Sequence, residues 1–236
     1  MALTIALALR GVARTFVPTA DVDPNGPLIG PRVRAWYRGL LGPFEERLAR
    51  AGWSPDTITY AQLLVSVLAG WAFAVGAIFL AGWLTVFAGT LDILDGGLAR
   101  RRGVAGPRGA LVDSVVDRWA EFATFLGLGA FFRESLMLAV VAFAAFGSQM
   151  VSYTRARAEG LGLELSTGRA QRPERYVLLG CGAWLSSLVA HLTCPLLGRP
   201  SHVVLKTAVL ALAALSTWTA VQRLRDAAAA LGRAAS

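Results

Sequence analysis

Four aspartates carry the chemistry this sequence is equipped for. Asp92 and Asp95 are spaced i, i+3, and Asp113 and Asp117 are spaced i, i+4, so each pair shares one helix face. Both pairs lie inside or at the ends of apolar stretches. A charged side chain near the bilayer centre costs roughly 2.5–3.5 kcal/mol on insertion scales, so these acids need compensation. No lysine is near, and the helical spacing turns Arg118 away from the Asp113–Asp117 face. A pair of divalent cations is the economical answer, and an all-oxygen cluster suits Mg²⁺ or Mn²⁺. Gly96, Gly97 and Ala99 leave room beside the acids for a diphosphate or nucleotide. Arg100 offers a guanidinium able to grip phosphate with two prongs. Gly109 opens the next helix on the face of Asp113 and Asp117. Asp117 should then sit about 12 Å deeper than Gly109 at the helical rise.

Membrane helices must position these residues. Hydrophobic residues make up 55% and charged residues 16% of the 236-residue chain, against about 25% charge in soluble domains. Mean hydropathy is +0.54. Apolar stretches at about 58–80, 82–98, 109–132, 135–154, 175–197 and 202–222 each meet or approach the roughly 20 residues that cross a bilayer. The link 101–108 is short, so the helices carrying the two acidic pairs should run antiparallel as neighbours. All four carboxylates can then converge. Residues 31–51 differ. Val33, Trp36, Leu40, Leu41, Phe44 and Leu48 form one stripe among arginines and glutamates, which predicts an amphipathic helix lying in the interface and kinked at Pro43. The fold class is therefore all-α integral membrane, with six transmembrane helices preceded by an interfacial amphipathic helix. The expected divisions are 1–30, a loop or interfacial segment; 31–51, the juxtamembrane helix; 52–225, the six-helix domain; and 226–236, a tail.

Basic residues set the orientation. Of the 23 lysines and arginines, only Arg133, Arg199 and Lys206 fall in the loops opposite the termini, with Arg118 inside a span. By the positive-inside rule both termini and the acidic site face the cytoplasm, in a cell (inner or plasma) membrane. This asymmetry also explains the net charge of +8 without a nucleic-acid partner. Met1 to Phe16 lacks a basic n-region and a small-residue cleavage site, so it reads as an interfacial segment rather than a signal peptide.

The acidic residues and their neighbours spell Asp92-x-x-Asp95-Gly96-x-x-Ala99-Arg100, eight residues, then Gly109-x-x-x-Asp113-x-x-x-Asp117. This resembles the signature of the CDP-alcohol phosphotransferase family at every position. The segment Pro55-Asp56-Thr57-Ile58-Thr59 is similar to the family's Pro-Asn-x-x-Thr run, with Asp56 in place of Asn. The resemblance implies two metals on Asp92, Asp95, Asp113 and Asp117. It implies a CDP site lined by Thr59, Gly96, Ala99, Arg100 and Gly109, with Asp117 as general base. It further implies transfer of a phosphatidyl group from a CDP-linked lipid such as CDP-diacylglycerol to an alcohol, with release of CMP, and a homodimer among membrane lipids.

A second basic cluster bears on the acceptor. Ser152 and Arg155 are i, i+3 at one helix end, and Arg172 and Arg175 are i, i+3 at the start of the next. Facing pairs would bind a phosphomonoester; anchoring to anionic headgroups is the alternative. The run Ser152-Tyr153-Thr154-Arg155-Ala156-Arg157-Ala158-Glu159 and the later Arg172-Pro173-Glu174-Arg175 resemble segments of phosphatidylinositol-phosphate and archaetidylinositol-phosphate synthases. That resemblance implies inositol 1-phosphate as the phosphorylated polyol, held by Ser152, Arg155, Arg172 and Arg175. Arg155 stands where some members have Lys. Glycerol 3-phosphate is the alternative acceptor. An ion or solute transporter is the alternative class, but the fixed spacing from Arg100 to Gly109 has no reason to exist there. Glu121 continues the Asp117 face and reads as a packed, protonated side chain. Cys181 and Cys194 read as buried small apolar residues. His191 and His202 lack partners at helical spacing, and the tryptophans suit the bilayer interfaces.

Overall fold

The computed structural model describes residues 29–163, 170–197 and 202–234. The expectations for residues 1–28 lie outside the described residues. Regular structure among the described residues is entirely helical. The helices are α1 (Pro31–Arg50), α2 (Pro55–Ala74), α3 (Ile78–Arg101), α4 (Pro107–Phe131), α5 (Met137–Glu159), α6 (Arg172–Leu197) and α7 (Val203–Ala234). Helix α1 continues through Pro43. Helix α2 stops at Ala74, well before residue 80, because Gly76 adopts φ +78° and turns the chain. The tail expected from residue 226 continues the last helix instead, as its alanines favour.

Local sequence explains the boundaries. Pro31, Pro55 and Pro107 occupy first-turn positions, where a missing N–H costs nothing. Gly52 (φ +76°) and Gly103 (φ +65°) take the left-handed conformation just past α1 and α3. The short turn at Gly76 makes α2 and α3 close neighbours, and α2 also packs along α4.

The last six helices close into a ring in the order α2, α3, α6, α7, α5, α4. Phe73, Leu128, Leu205 and Leu212 anchor the apolar core. Small residues set the tightest crossings. A Cβ at Gly127 would collide with the Gly70 carbonyl between α4 and α2. One at Gly82 would lie 2.8 Å from the Gly180 carbonyl oxygen between α3 and α6. Membrane helices gain from such close approach because lipid tails leave little hydrophobic drive between helices. Helix α1 rests on α3, with Leu41 against Leu91, Leu94 and Leu98.

Helices α2, α3, α5, α6 and α7 are long and apolar enough to cross a membrane. Helix α4 has 25 residues, but it carries Arg108, Asp113, Asp117, Arg118 and Glu121. Its charges serve the site described next. The outward faces are apolar, with Trp71, Trp83, Trp119 and Trp218 all exposed. This is an integral membrane helical protein.

Replacing Gly127 with alanine should overpack the α2–α4 crossing by about 1–3 kcal/mol. A lower thermal midpoint in detergent would report it; an unchanged midpoint would show that the crossing relaxes freely.

Candidate active site

Helices α3 and α4 are not the packed neighbours that their short link suggested; α2 packs along both, and the acids of α3 and α4 still come together. Among the described residues, Asp92, Asp113 and Asp117 have carboxylate oxygens within 4.8 Å of one another. Asp95 stands beside this trio. Its Oδ2 accepts a hydrogen bond from the Thr59 hydroxyl at 2.7 Å, and its Oδ1 accepts one from the Gly96 N–H at 2.6 Å. The donor set fits a hard divalent cation. Asp113 Oδ1 is buried without a hydrogen-bond partner, an arrangement that a cation would satisfy.

Asp117 is 2% exposed. Gln62, fully buried on α2, donates to its Oδ1 at 3.0 Å and to the Tyr176 hydroxyl at 3.3 Å. Arg172 completes the cluster. Its Nη1 lies 2.9 Å from Asp92 Oδ1 and also pairs with Asp117 Oδ2. A guanidinium thus holds together carboxylates that would otherwise repel one another.

Two cavities meet at Asp113. The first, of about 540 Å³, is lined by Thr59, Asp95, Gly96, Ala99, Arg100, Gly109 and Asp113. Nothing lies within 4 Å of where a Gly109 Cβ would stand, so a large ligand can approach that backbone. Asp56 reaches across to Arg108 at 2.8 Å on the rim. The second cavity, of about 360 Å³, is lined by Asp113, Asp117 and by Ser152, Arg155, Arg172 and Arg175. The structure therefore gathers the residues read as a CDP set in one cavity and those read as an acceptor set in the other.

Several partners differ from expectation. Arg118 does not point away from the site. It lines the second cavity, with its Nη1 donating to Ser114 Oγ at 2.7 Å, because a long side chain can wrap back one helical turn. Glu121 is packed, but against a cation: both its oxygens accept from Arg175, at 2.6 and 3.3 Å, in a buried two-pronged pair. Arg175 also donates to the Ala170 carbonyl at 3.0 Å, which fixes the start of α6. Arg155 pairs with Glu159 at 2.7 Å. Cys181 and Cys194 are free thiols, half-buried rather than fully buried.

Gln62, Tyr176, Arg223 and Arg34 escaped the sequence reading. Gln62 carried a usable signal, being the one amide on the Thr59 face of an apolar span. Arg223, which lines the second cavity and donates to the Val151 carbonyl at 2.8 Å, looked like one more positive-inside charge. Arg34 belongs to a helix read only for its amphipathicity.

The family model for CDP-alcohol phosphatidyltransferase matches residues 53–219. The phosphatidylinositol phosphate synthase of Mycobacteroides abscessus is 35% identical over 196 residues, which covers 81% of this chain and 84% of that one. The archaetidylinositol phosphate synthase of Methanothermobacter thermautotrophicus is 33% identical over 191 residues, covering 81% of this chain and 90% of its own. The crystal structure of Mycobacterium tuberculosis phosphatidylinositol phosphate synthase with CDP-DAG bound is similar at a TM-score of 0.66 and 30% identity, over 80% of this chain and 94% of that one. The same enzyme in complex with manganese and citrate gives a TM-score of 0.66 at 30% identity, over 79% and 88%.

Mn²⁺ titrated into the purified protein should bind at least roughly tenfold more weakly after Asp113→Asn. Glu121→Gln, which alters a carboxylate already committed to Arg175, should leave that affinity unchanged. Electron paramagnetic resonance reads both, and equal losses in the two variants would separate the metal from the trio.

Proposed function

The chain belongs to the CDP-alcohol phosphatidyltransferase family, and on that premise we propose that it transfers the phosphatidyl group of CDP-diacylglycerol to inositol 1-phosphate and releases CMP. Family membership sets aside the transporter reading. One observation carries the rest: the cavity lined by the signature glycines and Arg100 and the cavity lined by arginines open onto the same carboxylate, Asp113.

The chain's own groups divide the work. Arg100, beside Gly96 at the rim of the first cavity, grips the nucleotide diphosphate, and the glycines let it approach the backbone. Asp92, Asp95, Asp113 and Asp117 hold two cations, Mg²⁺ or Mn²⁺; Thr59 fixes the Asp95 carboxylate. When bound, the cations neutralise the diphosphate and the charge that builds on the leaving CMP. Arg155, Arg172 and Arg175, with Ser152, receive the acceptor's phosphate in the second cavity. Gln62 pins Oδ1 of Asp117, and Arg172, paired here with Oδ2, frees that second oxygen when it turns to the acceptor's phosphate. That oxygen takes the proton from the acceptor hydroxyl. The freed oxygen forms a bond to the lipid-side phosphorus, the bond from that phosphorus to the bridging oxygen breaks, and CMP leaves with the electron pair.

Six spans complete the reading, with α4 crossing the membrane despite its charges and α1 lying in the cytoplasmic interface ahead of a catalytic domain at about residues 52–225. The arginine-rich side, both termini and the site face the cytoplasm. Leu111, Val115, Trp119, Phe122 and Leu126 form an exposed stripe along α4 that offers a seat for a second copy. A cysteine at position 122 that fails to cross-link to its copy in native membranes would argue against the dimer. Protease cleavage of a C-terminal tag from outside intact cells would overturn the orientation.

The purified protein should release CMP from CDP-diacylglycerol only with inositol 1-phosphate and a divalent cation present. Asp117→Asn should lower kcat by roughly 10²-fold or more, the scale of a lost general base. Release with glycerol 3-phosphate alone would move the acceptor assignment while keeping the reaction. No CMP with any acceptor would sink the proposal.

A further inference from the structure

The arginine cavity has a wall that the family's shared chemistry does not explain. Helix α1 ends before the family model begins at residue 53. Yet Arg34 of α1 lines the cavity that holds Asp117, Arg155 and Arg172. Steps common to the whole family need no help from such an addition, whereas a choice among acceptors does.

The side chain is set up as a fixed donor. Its Nη1 donates to Gln171 Oε1 at 3.1 Å, and its Nη2 pairs with Glu174. The side chain is 20% exposed. Its Nε–H is buried and has no acceptor. A buried donor without an acceptor is unfavourable, and a ligand oxygen beside it would relieve that. Of the other guanidiniums on this wall, Arg175 engages Glu121, Arg155 engages Glu159, and Arg172 engages the acids with its own Nε likewise buried without an acceptor.

Docking of α1 does not depend on Arg34. The Tyr37 hydroxyl lies 2.6 Å from the Thr90 hydroxyl. Glu45, buried against Gly97, accepts from Arg101 at 2.5 Å. Leu41 packs on α3. These contacts hold α1 on α3 without Arg34.

We propose that Arg34 recognises the acceptor: its guanidinium donates to a hydroxyl of the phosphorylated polyol in the second cavity and so helps set which polyol is used. The inference rests on the acceptor cavity assigned above. The polyol's phosphate stays with the arginines of α5 and α6, and Arg34 meets the part of the molecule that differs between acceptors. A site built to hydrogen-bond a substrate hydroxyl discriminates strongly against analogues that lack it.

Kinetics on the full chain in detergent test this, with CMP release as the readout. The acceptor is whichever phosphorylated polyol the wild type turns over. Arg34→Met keeps length and packing but removes the donors. It should raise the acceptor KM roughly tenfold, as loss of a charge-assisted hydrogen bond predicts. The KM for CDP-diacylglycerol and kcat should stay as in the wild type, and pairing the change with Glu174→Gln, which leaves no stranded carboxylate, should keep the wild-type thermal midpoint. Arg34→Lys, which keeps a charged donor, should recover part of the loss. An unchanged acceptor KM in Arg34→Met would overturn the proposal. So would equal rises in both KM values with a lowered midpoint, the mark of a clamp. Failure of the wild type to use any phosphorylated polyol would overturn the parent reading and this inference with it.

Discussion

Negative charge in a low-dielectric bundle needs a cation, and the arrangement of this protein follows from that need. Asp92, Asp113 and Asp117 face one another within 4.8 Å among apolar helices. Uncompensated, they would repel one another and resist burial. Arg172 meets the need by pairing with Asp92 and Asp117. Metal ions meet it with more charge in less space. One side chain therefore pairs with the acids while lining the second cavity, where it is proposed to receive the acceptor's phosphate. Loading of the carboxylates with cations and arrival of a phosphate at Arg172 should favour each other, since each frees what the other uses.

The scaffold makes that cluster rigid. Helices α3 and α4 supply the acids, and α2 lies between them with Thr59 and Gln62 on its inner face. Glycine at the α2–α4 crossing lets the backbones approach closely enough for those short side chains to reach. On the far side, Arg175 and Glu121 tie the start of α6 to α4. A buried pair of this kind adds little net stability, but breaking it strands a charge.

Much of this was legible in the sequence, and the reasons differ by residue. Charges in apolar spans are expensive enough that their spacing reports function, which is why Asp92, Asp95, Asp113 and Asp117 could be read together. Glycines and Arg100 followed from their register with those acids. What failed depended on side-chain reach and on contacts between distant segments. Arg118 curls back over one turn to the cavity wall. Glu121 meets a partner 54 positions away, which no local pattern reveals. Gln62 acts through Asp117, 55 positions on. Arg34 finds Glu174 across 140 positions. Helix ends moved for smaller reasons, a left-handed Gly76 in one case and an alanine run in the other.

Anomalous diffraction from crystals grown with Mn²⁺ and CDP-diacylglycerol addresses the carboxylate cluster most directly. Two Mn²⁺ peaks are expected about 3.5–4 Å apart, touching Asp92, Asp95, Asp113 and Asp117, with the Arg172 guanidinium withdrawn toward the second cavity. Arg172 still seated between Asp92 and Asp117, with the nucleotide bound and no Mn²⁺ on these oxygens, would contradict the assignment of the site.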